Sequence, residues 1–130
     1  MVILDTCIII DHLRRSPNSS ASDLMQLLTA QPDVELAIST VTVQELFVGK
    51  SSRIPEKEKD LMTVIALCSV LPVTYEIAKI AGIMTRDTDV KMGLADAAIA
   101  ATAIHHHAQL YTRNTRDFSS IQNLTLVTLA

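Results

Sequence analysis

Short runs of aliphatic and β-branched residues alternate along this chain with longer stretches in which apolar side chains recur every three or four positions. The short runs predict strands at Val2–Leu4, Glu35–Ser39, Leu71–Val73, Gln109–Tyr111 and Leu124–Val127. The longer stretches predict helices over Thr6–Leu13, Asp23–Ala30, Thr40–Val48, Tyr75 to about Arg86 and Leu94–His107, with another opened by Pro55 in PEKEKDLMTVIALC. Gly49 ends the third helix, Pro55 and the following glutamates suit a helix start, and Thr74 is placed to cap the next one. The segment RRSPNSS and residues 87–93 read as polar loops.

Buried strands that alternate with helices call for a parallel sheet covered on both faces. Right-handed crossovers then make an α/β three-layer sandwich (α/β/α) around a sheet of about five parallel strands, in one domain over residues 1–130. Sites in such sheets form outside the carboxyl ends of the strands. Asp5 directly follows the first strand, Glu45 lies in the helix after the second, and Asp117 sits in the loop after the fourth. Asp96 opens the helix that feeds the fourth strand. That helix must run antiparallel to the strand, which brings its start to the same edge.

Composition changes this picture little. Hydrophobic residues are 48% and charged residues 19% of the chain, which fits a globular core rather than disorder. Aromatics are only 3% with no tryptophan, so a base-stacking platform for single strands is not expected. Cys7 and Cys68 lie far apart without metal-site spacing and read as buried free thiols in a reducing cytoplasm. No basic, apolar leader precedes Asp5, and the longest uncharged stretch, Leu61–Thr74, is too short to span a bilayer, so neither export nor membrane insertion is expected. Net charge is −3, from 14 acids against 11 bases, but without the four named acids the balance becomes slightly basic. No dense basic stripe exists, which argues against tight non-specific duplex binding.

Each of the four acids has an ordinary explanation. Asp5 suits an N-cap, Glu45 follows Thr42 and Asp117 follows Asn114 at capping-box spacing, and Asp96 complements the positive end of its helix. Four local caps, however, have no reason to converge on one sheet edge. Carboxylates gathered there repel one another unless a cation lies between them, and an oxygen-only set suits one or two Mg²⁺ or Mn²⁺ ions. Other titratable residues read as structural. His105, His106 and His107 cover three faces at the end of a helix, His12 reads as a solvent or interface residue, Asp87 and Asp89 as loop acids, and Asp11 as pointing away from Asp5.

The strings LDTCIIID, ISTVTVQEL, LADAAIAATAI and YTRNTRDF occur in this order across the chain. Together they resemble the PIN domain, and especially the small VapC-type toxins of VapBC toxin–antitoxin systems. The resemblance implies that Asp5, Glu45 and Asp96 are metal ligands or hold metal-bound water, with Asp117 as a more variable fourth acid. It further implies that Thr6, Thr112 and Asn114 orient the acids and the substrate phosphate. Cys7 departs modestly from the family pattern and could make activity sensitive to thiol reagents. Arg113 and Arg116 flank the fourth acid and could either contact phosphate or neutralise local carboxylates.

The implied activity is metal-dependent hydrolysis of RNA phosphodiester bonds, with a catalytically inactive PIN-fold RNA- or protein-binding module as the alternative. The implied partners are a homodimer mate and a small antitoxin, for which the helices around Leu24–Leu28 and Leu46–Val48 are candidate surfaces. An arginine inserted by that partner could replace the metal's charge. Other acid-and-magnesium folds fit poorly. A phosphate-signalling receiver needs adjacent acids after the first strand and a late lysine, a DxDxT phosphatase needs aspartate at Cys7, and a 3′–5′ exonuclease needs glutamate there.

Overall fold

The computed structural model describes residues 1–129. Strand β1 (Val2–Leu4) leads into α1 (Thr6–Arg14) and α2 (Asp23–Ala30), followed by β2 (Leu36–Ser39) and α3 (Thr40–Val48). A 3₁₀ turn (Lys50–Arg53) precedes α4 (Pro55–Ala66), β3 (Ser69–Leu71), α5 (Tyr75–Asp87) and α6 (Leu94–His105). The chain continues through β4 (Gln109–Tyr111), the short α7 (Thr115–Phe118) and β5 (Thr125–Leu126). The five strands form one parallel sheet in the order β3-β2-β1-β4-β5. Among these residues no helix is long and apolar enough to cross a membrane.

Alternation along the central strands divides the core into two layers. Val2, Leu4, Leu36 and Ile38 face Ile8 and Ile9 of α1, Leu24 and Leu27 of α2, Leu46 of α3, and Leu61 and Val64 of α4. Ile3, Ala37 and Leu110 face the other way, onto Ile99, Ala100 and Ala103 of α6 and Phe118 of α7. Each such large side chain contributes about 1.5–3 kcal/mol when fully buried, so packing on both faces outweighs the propensity of strands only three residues long. Helix α6 is buried at every position from Ala97 to Ala103, and its alanines let it lie close against the sheet.

Several boundaries differ from the sequence-based expectation. The third strand is Ser69–Leu71 rather than Leu71–Val73, pairing Ser69 with Ala37 and Leu71 with Ser39. It is an edge strand, half-solvated and therefore polar in part, and Pro72 cannot extend its ladder. The N–H of Val73 instead donates to Thr40 Oγ1 at 3.2 Å. Asp117 lies in α7 rather than in a loop. Thr42 is not a helix cap: Ser39 caps α3 by accepting from Val41 N–H, and buried Thr42 faces inward.

The histidine run also resolves differently. Only His105 is helical, while His106 caps α6 and His107 adopts a left-handed φ of 52°. Ala108 N–H then donates to Ala103 C=O and His107 N–H to Ile104 C=O, which closes the helix with a Schellman turn. Glycine normally fills that position because a Cβ there is strained. His107→Gly should therefore stabilise the protein by about 0.5–1 kcal/mol, seen as a higher urea midpoint at unchanged slope.

Candidate active site

Strand order reverses beside β1, because β2 and β3 are laid down on one side of it and β4 on the other. A crevice forms at the carboxyl ends of two strands that diverge in this way. Asp5, at the end of β1, and Thr112, just after β4, face each other across it. Asp5 is 6% exposed and also caps α1: Oδ1 accepts from Thr6 N–H at 2.8 Å. Its Oδ2 accepts from the Thr112 hydroxyl at 2.7 Å and, more weakly, from the Cys7 thiol at 3.4 Å. Asp5 N–H in turn donates to Tyr111 C=O at 2.9 Å, joining the two strand ends through the backbone.

A second set of contacts holds Glu45. The Thr6 hydroxyl donates to Glu45 Oε1 at 2.6 Å and lies 3.1 Å from the Thr42 hydroxyl. Thr42 was not among the sequence-predicted site residues. Its one legible signal is that it precedes Glu45 by three positions, which puts both on one helix face. The fourth acid is held by its neighbour: Asn114 Nδ2 donates to Asp117 Oδ2 at 2.9 Å, while Asn114 N–H donates to the Thr112 hydroxyl, also at 2.9 Å. Among the described residues, no buried side-chain nitrogen or oxygen lacks a hydrogen-bond partner.

Asp96 lies in the first turn of α6, half-buried, without a hydrogen bond of this kind. Its pKa is raised by burial first, and then by the negative charges of Asp5, Glu45 and Asp117. The fold thus brings Asp5, Glu45 and Asp117, the other three acids that the sequence singled out, near enough to Asp96 for their charges to act on it. Among the described residues, however, no three histidine, cysteine or acidic side chains form a ready set of direct metal ligands. Partly committed carboxylates around an open edge suit a hard cation such as Mg²⁺, which keeps several of its own waters and needs only one or two direct carboxylates.

Other residues fall outside this group. Arg113 pairs with Asp23 and with Asp11, the latter at 3.2 Å, rather than facing the four acids. Asp11 also receives Arg15 at 3.2 Å. Burial opposes ionisation of Asp11, but its bonds to Arg15 and Asp23 N–H, with the charges of Arg113 and Arg15, hold its pKa below the usual value. Arg116 is exposed and has no ion pair among the described residues. His12 is not a free surface residue, because its Nδ1 lies 2.8 Å from the hydroxyl of Ser22, the cap of α2. Asp87 pairs with Arg86 at 2.8 Å in the solvent. Burial raises the pKa of both thiols, Cys68 to about 11, so neither is a ready nucleophile at neutral pH. Of the expected partner surfaces, Leu24, Leu27 and Leu46 are core residues, whereas Phe47 and Val48 are exposed.

The PIN domain profile matches residues 2–124. The chain is 34% identical over 127 residues to Ribonuclease VapC10 of Mycobacterium tuberculosis, covering 95% of this chain and 90% of that protein. Among solved structures, it is similar to a toxin–antitoxin complex from Klebsiella pneumoniae, with 27% identity, a TM-score of 0.74, and coverage of 98% of this chain and 97% of that one. VapBC2 from Rickettsia felis, bound to a promoter DNA fragment, shares the fold at a TM-score of 0.79 with 24% identity, over 99% of this chain and 98% of that one.

Between the ordinary aspartate value and the raised one of Asp96, the folded chain binds more protons than the unfolded chain, so stability from this group falls as pH rises through that window. In chelator at pH 7, Asp96→Asn should therefore melt at a higher temperature than the parent chain. The gain should vanish as pH drops below the ordinary aspartate range, and saturating Mn²⁺ should reverse it by stabilising the parent chain more.

Proposed function

Because the chain belongs to the PIN domain family, we propose that it is a divalent-metal-dependent ribonuclease and the toxin member of a toxin–antitoxin pair. One observation carries this reading: Asp5, Glu45, Asp96 and Asp117 converge from four separate elements on the edge where strand order reverses, and Asp96 feels the other three charges together. Its relative's name, Ribonuclease VapC10, and the description of the Klebsiella structure as a toxin–antitoxin complex support the same assignment.

In this reading Asp5, Glu45, Asp96 and Asp117 hold one or two Mg²⁺ or Mn²⁺ ions. When bound, such ions supply Lewis acidity toward a water and toward the phosphodiester oxygens. The chain's own residues set the geometry. Thr112 and the Thr6 N–H fix both oxygens of Asp5, the Thr6 hydroxyl directs Glu45, and Asn114 orients Asp117. Arg116, exposed and unpaired among the described residues, is proposed to meet an RNA phosphate beside the fourth acid. No serine or cysteine nucleophile is needed, which agrees with the raised thiol of Cys7.

The partners follow from the same chemistry. An acidic cleft attracts an arginine-bearing segment, so the antitoxin is proposed to be a small protein whose guanidinium enters among the four acids. Exposed Phe47 and Val48, at the end of the helix that carries Glu45, are proposed to extend that contact. The toxin itself is proposed to act as a homodimer. With all four acids present, no feature of the site favours a catalytically inactive binding module.

Purified protein incubated with total RNA, with and without Mn²⁺, followed by mapping of the cut ends, tests the activity. Asp5→Asn and Asp96→Asn should each lower the cleavage rate by about 10²–10⁴-fold, as expected for loss of a group that stabilises the transition state through a metal. Asp87→Asn should cleave normally, because Asp87 pairs only with Arg86 in solvent. Wild-type turnover by Asp96→Asn in Mn²⁺ would sink the assignment.

A further inference from the structure

Thr112 and Asn114 each hold one of the four acids, and the residue between them is Arg113. Its side chain turns away from those acids. Arg113 Nε donates to Asp23 Oδ2 at the start of α2, and its Nη2 lies 3.2 Å from Asp11 Oδ1 on α1. Two further contacts tie the same pieces together. The Tyr111 hydroxyl donates to Asp23 C=O at 3.2 Å, and Asp23 N–H donates to Asp11 Oδ2 at 3.4 Å. Arg15 completes the group by donating to Asp11 and to Ser20. Two cations therefore face two carboxylates, and the cluster is neutral on its own.

This arrangement decides between the two roles open to Arg113. The Nε–Nη2 edge, one of the two that can grip a phosphate with paired bonds, is taken here by Asp23 on Nε and Asp11 on Nη2. Phosphate would have to displace these carboxylates from that edge or use the Nη1 side alone. What the pairs do instead is hold the backbone of the turn after β4 against α1 and α2, so that residues 112 and 114 are presented toward the site from a fixed base.

We propose that Arg113 is a positioning residue: clamped by Asp11 and Asp23, it fixes the turn that keeps the Thr112 hydroxyl on Asp5 and the Asn114 amide on Asp117, and it takes no substrate phosphate. The inference rests on the reading of the four acids as a metal site. Asp11 and Asp23, which touch none of those acids, thereby belong to the same device.

The test uses the full chain with Arg113→Ala, Arg113→Lys and Asp23→Asn, each checked for folding by circular dichroism. Loss of support for ligand-orienting groups typically weakens metal binding or activity by about 10–100-fold. Arg113→Ala should therefore raise the Mn²⁺ concentration needed both for the metal-induced rise in melting temperature and for half-maximal RNA cleavage by about tenfold or more. It should lower kcat while leaving the KM for RNA within about twofold, since no phosphate contact is lost. Asp23→Asn should shift the Mn²⁺ requirement in the same direction, and Arg113→Lys should recover part of the loss.

A different pattern overturns the proposal. In chelator, loss of a phosphate contact would flatten the salt dependence of RNA binding by about 0.7 in log–log slope for a single strand, and would raise KM with kcat intact. A wild-type Mn²⁺ requirement in Arg113→Ala would overturn it equally. Should Arg113→Ala fail to fold, Asp23→Asn and Arg113→Lys decide the same question. If the parent chain cleaves no RNA, the melting-temperature titration with Mn²⁺ still reads the role of Arg113, so failure of the activity and failure of the clamp are distinguishable.

Discussion

The Thr112 hydroxyl donates a hydrogen bond to Asp5 across the seam where the order of strands reverses, and much of the molecule keeps that bond in place. A carboxylate this deeply buried needs donors, and Asp5 has them from Thr6, Thr112 and Cys7. Thr6 and Cys7 are chain neighbours, but Thr112 arrives only because β1 and β4 pair in register, with Leu4 beside Tyr111. The bond thus links a piece of secondary-structure bookkeeping to the chemistry of the edge. It holds one carboxylate in place, around which the remaining three are arranged.

Repulsion among the other acids is handled differently at each position. Glu45 accepts from a threonine hydroxyl and Asp117 from an asparagine amide, whereas Asp96 has neither, and burial first, then the charges of the other three acids, raise its pKa. That asymmetry has a local origin. Asp5, Glu45 and Asp117 each have a threonine or asparagine within reach, whereas Asp96 stands in a run of alanines whose methyl groups offer no donor. The positive end of its own helix is the compensation the sequence provides.

Much of this was legible before any coordinates. Runs such as VIL and LAIS are apolar enough to announce central strands, and the positions of Asp5, Glu45 and Asp96 after or before those elements placed them at one edge. The misses share a cause. Ser69 is polar because β3 has only one neighbour, so periodicity gave it no mark as a strand residue. Thr42 looked like a helix cap because capping spacing and a same-face pair spacing are both three residues. By sequence His12 reads as a solvent or interface residue, and Arg113 stays open between phosphate and carboxylates, because their partners, Ser22, Asp11 and Asp23, are brought to them only by how α1 and α2 pack. Hydrophobic patterning records which side of an element is buried, but it does not record which polar groups meet once it is.

Helix α6 carries a consequence for how such a protein can vary. Because Ala100, Ala101 and Ala103 are fully buried, the backbone there lies close to its neighbours, and no flexible side chain absorbs a bulkier replacement. A valine or leucine introduced at fully buried Ala100, Ala101 or Ala103 would displace the rod bodily, and Asp96 would travel with it. The tolerance of this segment to mutation is therefore set by steric clearance a full turn or more from any reacting atom, and variants far from the cleft would register there as altered metal requirement.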